Sequence, residues 1–407
     1  MQTTPKGLRL HIGLYGRRNV GKSSILNAVT GQSVAIVSDV AGTTTDPVEK
    51  AMELLPIGPV LFIDTAGIDD VGELGQQRID KTIKAIRRTE VAILVVESGC
   101  WGDFEESLLE KFDAASVPVV VVFNKIDITP ADIDIKKTLK QAKRQVVEMV
   151  ASERKGVSEF KQALLAEMPA EFITPPPIVG DLINPGSMVV LVVPIDLEAP
   201  KGRLILPQVQ TIRDILDNDA YCCVVKEREL RDLLKNLKKP PALVVTDSQA
   251  FLKVGGDTPA DIKMTSFSIL FARLKGDLPS FVEGVATIDK LIPGDRILVA
   301  EACTHHEVCE DIGRVKIPRW LTQYVGGELQ FDTVSGQDFP DDLSPYKLVI
   351  HCGSCTFNRR SLLARIVQCK QADVPITNYG IAIAFSLGML PRALQPFPDA
   401  LLRLNNG

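Results

Sequence analysis

The chain has 407 residues, of which 45% are hydrophobic and 24% are charged, a balance typical of soluble globular proteins. This length predicts two or three domains. A net charge of −5 argues against a general nucleic-acid-binding surface. No secretory signal precedes the first strand-like run, and the apolar run Ile381–Leu390 is far shorter than the ~20 residues that span a bilayer. We therefore expect a cytoplasmic protein that binds neither nucleic acid nor a membrane.

Residues 16–23 carry the phosphate-binding pattern G-x-x-x-x-G-K-S. The alternating run 8–15 before it predicts a strand, and residues 24–29 after it predict a helix. Glycines let backbone N–H groups turn towards phosphate oxygens, and the helix N-terminus adds partial positive charge. We expect Lys22 to reach the β- and γ-phosphates and Ser23 to bind Mg²⁺. The predicted phosphate-loop contacts are Gly16, Arg17, Arg18, Asn19, Val20, Gly21, Lys22, Ser23 and Ser24.

Two further motifs predict the rest of the phosphate and metal site. Asp64 ends an apolar strand and begins the pattern Asp-x-x-Gly, so its carboxylate is placed to hold Mg²⁺ through water. The N–H of Gly67 is placed to sense the γ-phosphate. The run Gly-Thr-Thr-Thr-Asp at 42–46 supplies Thr44 as a metal ligand. We predict Lys22, Thr44 and Gly67 as the catalytic residues.

The pattern Asn-Lys-x-Asp at 124–127 predicts guanine recognition. It follows the apolar run 119–123, which has the composition of a buried parallel strand. The Asp127 carboxylate can accept two hydrogen bonds from the guanine N1–H and exocyclic amine, which adenine cannot offer. GTP is therefore the predicted nucleotide. The expected base contacts are Asn124, Lys125, Asp127, Ala151 and Ser152, the last two in reversed order relative to the usual Ser-Ala pair.

This N-terminal part resembles the translation-factor-like GTPases, and within them the MnmE/Era group. The resemblance rests on Asn19, on the Gly-Thr-Thr-Thr-Asp run and on Asp-Thr-Ala-Gly at 64–67. It implies K⁺-stimulated hydrolysis, with K⁺ bound at Asn19. The position of the usual catalytic glutamine is Ile68, which cannot orient water, and Glu73 and Gln76 are the nearby polar alternatives. Slow, regulatory turnover is therefore expected.

A stiff proline-rich run at 174–177 marks the first domain boundary. We place the domains at residues 1–174, 175–265 and 266–407. The middle block shows no catalytic constellation, and its adjacent Cys222 and Cys223 are predicted to be buried structural thiols. Its apolar periodicity predicts strands at 188–193 and 243–246 and helices at 208–216 and 227–237. We expect this block to support association with another copy of the chain.

Residues 303–355 concentrate soft metal ligands, with four of the eight cysteines and three of the four histidines. One predicted strand, 296–300, leads into Cys-Thr-His at 303–305, and another, 347–350, leads into His-Cys-Gly-Ser-Cys at 351–355. Because ligands bind at the carboxyl ends of parallel strands, the two motifs can share one metal centre. Spacing alone leaves zinc and an iron–sulfur cluster equally open. A redox dithiol of Cys352 and Cys355 would leave Cys303 and the histidines unexplained.

The combination of these modules resembles the HydF family, the GTPases of [FeFe]-hydrogenase maturation. The resemblance covers the whole chain, and Cys-x-His…His-Cys-x-x-Cys is its specific part. It implies an α/β protein with an N-terminal P-loop GTPase domain, a middle α/β dimerisation domain and a C-terminal α/β iron–sulfur cluster domain. It also implies a [4Fe–4S] cluster on Cys303, Cys352 and Cys355, with His305 and His351 as candidates for a fourth, labile position.

The same resemblance implies partners and a role. The chain would form a homodimer or higher oligomer, receive a diiron precursor from radical-SAM maturases and transfer it to apo-[FeFe]-hydrogenase. GTP hydrolysis would regulate partner exchange. The implied cofactors are GTP, Mg²⁺, K⁺ and the [4Fe–4S] cluster. The alternative is an MnmE/Era-like GTPase with a zinc-stabilised C-terminal domain, acting in RNA modification or ribosome assembly; RNA binding would favour it, whereas the acidic net charge does not.

Overall fold

The structure is a computed structural model that describes residues 4–31, 47–65, 81–194, 204–302 and 311–406. The described chain divides into two compact units, Met1–Pro175 and Pro176–Gly407, which we treat separately. Several predicted site residues and their neighbours lie outside the described residues, namely Thr44, Gly67, Ile68, Glu73, Gln76, Cys303 and His305.

The first unit is built on one mostly parallel sheet. Among the described residues its strand order is β2-β3-β1-β4-β5-β6, and only β2 runs antiparallel to its neighbour. The strands are β1 (Leu10–Tyr15), β2 (Val48–Leu54), β3 (Gly58–Asp64), β4 (Val91–Glu97), β5 (Val119–Asn124) and β6 (Gln145–Met149). The helices are α1 (Lys22–Thr30), α2 (Asp103–Ala114), α3 (Ile133–Gln141), α4 (Val157–Ala166) and α5 (Ala170–Ile173).

Strand β4 shows why this sheet is covered on both faces. Side chains of a strand alternate between the two faces of a sheet. Val91, Ile93 and Val95 pack into one hydrophobic core, whereas the intervening residues 92, 94 and 96 pack into another. The continuous apolar runs in the sequence therefore correspond to strands buried on both sides, as in other parallel sheets.

The second unit contains two parallel sheets in its described residues. Their strand orders are β10-β9-β7-β8 and β12-β11-β13-β14. The strands are β7 (Met188–Val192), β8 (Tyr221–Val225), β9 (Leu243–Thr246), β10 (Met264–Ser266), β11 (Arg296–Ala300), β12 (Gln330–Val334), β13 (Leu348–His351) and β14 (Ile376–Asn378). The helices are α6 (Leu206–Asp217), α7 (Leu230–Asn236), α8 (Phe251–Asp257), α9 (Phe267–Lys275), α10 (Leu278–Val285), α11 (Ile317–Val325), α12 (Arg359–Gln371), α13 (Tyr379–Ser386), α14 (Leu390–Ala393) and α15 (Pro398–Asn406).

One continuous hydrophobic core joins both sheets of the second unit. It includes Val190 from β7, Leu270 from α9 and Ile350 from β13. Helix α9 packs against α6, α12 and α13. Segments before and after residue 265 therefore share a core, and α9 connects them.

The α/β fold class predicted from the sequence is confirmed. Two of the local predictions that differ from the structure concern the middle block: the helix expected at 227–237 spans Leu230–Asn236, and Cys222 and Cys223 are half-buried instead of buried. These cysteines lie on β8, the edge strand of its sheet, where Tyr221 and Val224 are exposed. In the described part of the chain, no helix is long and apolar enough to cross a membrane.

Candidate functional site

The phosphate loop between β1 and α1 takes a shape that two glycines permit. Gly16 has φ 140° and Gly21 has φ 98°, both in the region that favours glycine. A Cβ on Gly16 would lie 2.2 Å from the Val95 carbonyl oxygen. A Cβ on Gly21 would lie 2.3 Å from the Asn124 side-chain nitrogen. Side chains at either position would therefore displace the loop from the sheet edge.

The side chain of Lys22 folds back over this loop. Its Nζ donates to the backbone oxygens of Gly16 at 2.7 Å and Arg17 at 2.8 Å. Its ammonium is thus held where phosphate oxygens can replace the two carbonyls. Ser23 and Ser24, next along α1, are both exposed, as is Arg18 in the loop.

Asp64 at the carboxyl end of β3 has the environment expected of a metal-site carboxylate. Burial raises its pKa, and the charge of Lys22 acts in the opposite direction. Its Oδ1 is buried and has no hydrogen-bond partner among the described residues. A buried carboxylate oxygen without a partner is costly, and a hydrated Mg²⁺ would satisfy it. Asp64, with Ser23 as the predicted hydroxyl ligand, therefore fits the metal.

Arg17 is engaged with helix α2. Its guanidinium forms two hydrogen bonds with Glu105, at 2.8 and 2.9 Å, and lies over the Phe104 ring at 5.0 Å from the ring centre. Glu105 is 1% exposed and also accepts from the Gly102 N–H at the start of the helix. Because the guanidinium is paired with Glu105, the predicted contact between Arg17 and phosphate would be made by its backbone N–H. Sequence reasoning missed Glu105, which is visible only as an acidic residue in a helical first turn.

A cavity of about 260 Å³ lies between the phosphate loop and the Asn-Lys-x-Asp motif. Asn19, Gly21 and Ser24 line it from the loop. The predicted base contacts line it from the other side, namely Asn124, Lys125, Asp127, Ala151 and Ser152. Ile128 and Val150 also line it and were not predicted; Ile128 is 72% exposed and offers an apolar surface for a base.

Asn124 ties the segments around this cavity together. Its Nδ2 donates to the Val20 carbonyl at 2.9 Å, and its Oδ1 accepts from the Ala151 N–H at 3.1 Å. The neighbouring Lys125 has φ 62° and its Nζ lies 2.8 Å from a Glu97 carboxylate oxygen. The structure therefore brings the predicted P-loop and guanine-binding residues to one place.

The two predicted cluster cysteines among the described residues, Cys352 and Cys355, both follow the carboxyl end of β13. β11 and β13 pair in parallel with Ala300 beside His351. The Cys352 N–H donates to the Ala300 carbonyl at 2.9 Å, and the Ala302 N–H donates to the Cys352 Sγ at 3.0 Å. The sequence continues from Ala302 directly into Cys303. The sheet register thus sets the chain leading to the third predicted cysteine beside Cys352.

The two described thiols of this second site are of the type that ligates an iron–sulfur cluster. Cys352 is half-buried, Cys355 is exposed, and neither forms a disulfide. A backbone N–H bonded to sulfur, as at Cys352, is a feature that tunes cluster thiolates. Among the described residues, no group of three or more Cys, His, Asp or Glu side chains forms a ready metal site. The third thiolate would come from Cys303, outside the described residues.

His351, a predicted candidate for the fourth ligand, is fully buried and bonded at both ring nitrogens. Its Nδ1 donates to the Cys352 carbonyl at 2.9 Å, and its Nε2 accepts from Arg365 at 2.8 Å. Burial first, and then the charge of Arg365, lowers its pKa to about 3. Arg365 lies between Phe339 and Phe357, with 4.7 and 4.6 Å to the ring centres. Coordination by His351 would require freeing one of these two ring nitrogens from its partners, so its role as a ligand stays a prediction.

Comparison with known proteins gives different relatives for different parts of the chain. Residues 11–125 match the family model described as a 50S ribosome-binding GTPase. The GTPase Der of Wolinella succinogenes is 42% identical over 123 residues, which are 29% of this chain and 26% of that protein. The tRNA modification GTPase MnmE of Chromobacterium violaceum is 36% identical over 159 residues, 38% of this chain and 34% of that protein. The chain therefore spans about a quarter to a third of the length of these curated relatives.

A solved structure of Aquifex aeolicus Era bound to GDP and AlF4⁻ is 20% identical, with a TM-score of 0.34 over 61% of this chain and 99% of that one.

Residues 178–276 match the hydrogen maturase F dimerization domain, and residues 279–396 match the hydrogen maturase F tetramerization domain. These two matches together cover more than half of the 407 residues. The resemblance inferred from the sequence is thereby confirmed, and the chain belongs to the hydrogen maturase F (HydF) family.

Proposed function

We propose that this chain is a GTP-hydrolysing maturation scaffold or carrier that binds a [4Fe–4S] cluster and delivers a diiron precursor to apo-[FeFe]-hydrogenase. The observation that supports it most is the register of β11 and β13. That register sets Cys352 Sγ 3.0 Å from the Ala302 N–H, one residue before Cys303. Membership of the hydrogen maturase F family supports the assignment to hydrogenase maturation.

In the N-terminal domain, the chain's own residues bind and orient GTP. Asp127 selects guanine, and Asn124 holds the base motif against the phosphate loop. Lys22 exchanges its carbonyl partners for phosphate oxygens. Mg²⁺ would be held by Ser23, Thr44 and Asp64, and when bound it would neutralise developing charge on the phosphates. Because Ile68 occupies the position of the usual catalytic glutamine and cannot orient water, hydrolysis is slow and serves as a switch between partners.

In the C-terminal domain, Cys303, Cys352 and Cys355 hold the cluster. Because three thiolates ligate only three of the four irons, the fourth iron would keep an exchangeable position. A carrier could use that position to bind and release its cargo. His305 and His351 are the candidate residues for that position, and His351 must first release a bond. The chain associates with itself through its dimerisation and tetramerisation segments and accepts cargo from radical-SAM maturases.

A maturation assay tests this function. The protein is produced anaerobically with the radical-SAM maturases, purified and mixed with apo-[FeFe]-hydrogenase, and hydrogen evolution is followed. We expect wild type to activate the hydrogenase and Cys355→Ser to fail. The matched control is Cys100→Ser, which alters an exposed cysteine of the GTPase domain and should activate like wild type. Equal activation by Cys355→Ser would contradict the proposal.

A further inference from the structure

The buried side chain of Lys275 is bonded to the loop that carries Cys352 and Cys355. Lys275 is the last residue of α9 and is 3% exposed. Its Nζ donates to the backbone oxygens of Ser354 at 2.9 Å, Cys355 at 3.2 Å and Phe357 at 2.8 Å. Three carbonyls of one short loop therefore converge on a single ammonium from a distant part of the sequence.

A lysine in this position is unusual enough to indicate a specific role. Removing an ammonium from water is costly unless hydrogen bonds replace its hydration, and lysine is rarely fully buried. Charge-assisted bonds are roughly twice as strong as neutral ones, so three of them fix the loop firmly. An apolar residue would fill the space of the lysine stem but would leave three carbonyls without this donor.

The loop itself has a conformation that requires such support. Ser354, between the two cysteines, has φ 55° and is 0% exposed. A residue other than glycine in the left-handed region stores strain and persists only where its surroundings hold it. Lys275 bonds the carbonyl of this same residue. The strained turn that separates Cys352 from Cys355 is thus held from α9.

A second buried cation holds the beginning of the loop through His351. Arg365 on α12 donates to His351, which in turn donates to the Cys352 carbonyl. The Arg365 guanidinium in turn lies over the rings of Phe339 and Phe357. Carbonyls on both sides of Gly353 are therefore connected to buried positive side chains.

The position of Lys275 in the chain connects two family segments. It lies at the end of the segment that matches the dimerization domain, whereas the cysteine loop lies in the segment that matches the tetramerization domain. Arg359, at the start of α12, donates to the Leu274 carbonyl beside it. The last turn of α9 is therefore a structural support of the cysteine loop.

We propose that Lys275 is a positioning residue for the cluster, which shapes the Cys352–Phe357 loop before iron arrives and keeps positive charge beside the cluster. This inference rests on the proposed cluster-binding function. A [4Fe–4S] cluster with three thiolates is net negative, so a nearby ammonium stabilises it and favours its reduced form.

The test compares reconstituted wild type with Lys275→Met and Lys275→Arg. Iron loss to a chelator and the midpoint potential from an EPR-monitored redox titration are measured. We expect Lys275→Met to lose iron at least tenfold faster and its potential to become more negative. Lys275→Arg keeps the charge and N–H donors and should restore both properties in part. The matched control is Lys253→Met, an exposed lysine on α8 paired with Asp257.

Unchanged iron loss and potential in a folded Lys275→Met protein would overturn the inference. If that variant does not fold, hydrogen exchange of the apo wild type tests the same point. The Cys352 and Phe357 amides, which donate to the Ala300 and Ser354 carbonyls, should exchange slowly before iron is added. Fast exchange there would overturn a preformed loop. Wild type that binds no iron would instead refute the cluster-binding function.

Discussion

The Asn124 side chain joins the guanine-binding motif to the phosphate loop, because its Nδ2 donates to the Val20 carbonyl at 2.9 Å. Its Oδ1 simultaneously accepts from the Ala151 N–H at 3.1 Å. The side chain is 3% exposed, so neither bond competes with bulk water. One residue therefore holds three segments around the cavity, and nucleotide affinity should depend on it strongly.

Replacing Asn124 by alanine should weaken GDP and GTP binding roughly tenfold to hundredfold. The reason is that two backbone groups each lose a hydrogen bond worth about 0.5–1.5 kcal/mol, together roughly 1–3 kcal/mol. Titration with a fluorescent GDP analogue measures the change. Asn236→Ala is the control, since that asparagine bonds only within helix α7 at the surface. An affinity equal to that of wild type would refute this role of Asn124.

Replacing Asp127 by asparagine should change base preference from guanine to xanthine. The carboxylate accepts from the guanine N1–H and exocyclic amine, whereas an amide places a donor there, which suits the xanthine carbonyl. We expect GTP affinity to fall roughly tenfold to hundredfold, which corresponds to the loss of one or two hydrogen bonds to guanine. XTP affinity should rise, because the amide donates to the xanthine carbonyl. Competition binding measures both. Asp134→Asn, near the start of α3, is the control, and an unaltered GTP-to-XTP ratio would exclude the assignment.

Potassium should accelerate GTP hydrolysis through Asn19. This residue has φ 61° and lines the nucleotide cavity. We expect faster turnover in K⁺ than in Na⁺ at equal ionic strength, and no such difference in Asn19→Ala. Phosphate release under single-turnover conditions is the measurement. Arg18→Ala keeps the loop N–H groups and should retain the K⁺ effect, whereas equal wild-type rates in the two salts would argue against a K⁺ site.

His11 should make the first unit less stable as the pH falls. Burial lowers its pKa from 6.5 to about 4 in the folded protein. Between pH 6.5 and pH 4 the unfolded state binds more protons than the folded state. The contribution of His11 to the free energy of unfolding is therefore complete above pH 6.5 and is lost as the pH falls towards 4. Since a shift of one pKa unit corresponds to 1.36 kcal/mol, the free energy of unfolding falls by about 3 kcal/mol over this range.

Urea unfolding between pH 7 and pH 4.5 measures this effect. Trp101 reports on the first unit when Trp320 of the second unit is replaced by phenylalanine. We expect His11→Phe to be less stable than its parent at pH 7, because the bond from Nε2 to the Lys6 carbonyl is lost, yet to show a shallower pH slope. Equal slopes in the two proteins would show that His11 does not titrate in this way.

The parts of the fold that could be predicted are those with a local signal. The apolar runs of β1, β3 and β5 and the turn residues that follow them indicate strands and phosphate or base motifs. Strand β2 lacks such a run, because it lies at the sheet edge where nearly all of its residues are exposed or half-buried, and it was not predicted.

Contacts between distant side chains could not be predicted from one sequence. Arg17 and Glu105 are 88 residues apart, and Lys275 and Ser354 are 79 apart, so no periodicity relates them. The prediction of His351 as a ligand rests on its place in the His-Cys-Gly-Ser-Cys motif and on the family resemblance. Its burial and its bond to Arg365 depend on how α12 packs against the sheet, which only the tertiary structure shows.

Anaerobic iron and acid-labile sulfide analysis, with EPR of the reduced protein, tests the central claim most directly. We predict about four irons and about four sulfides per chain in wild type, and an EPR signal that is lost in Cys355→Ser. About one zinc per chain with no iron would contradict it, because a closed tetrahedral zinc site has no exchangeable position for a diiron cargo.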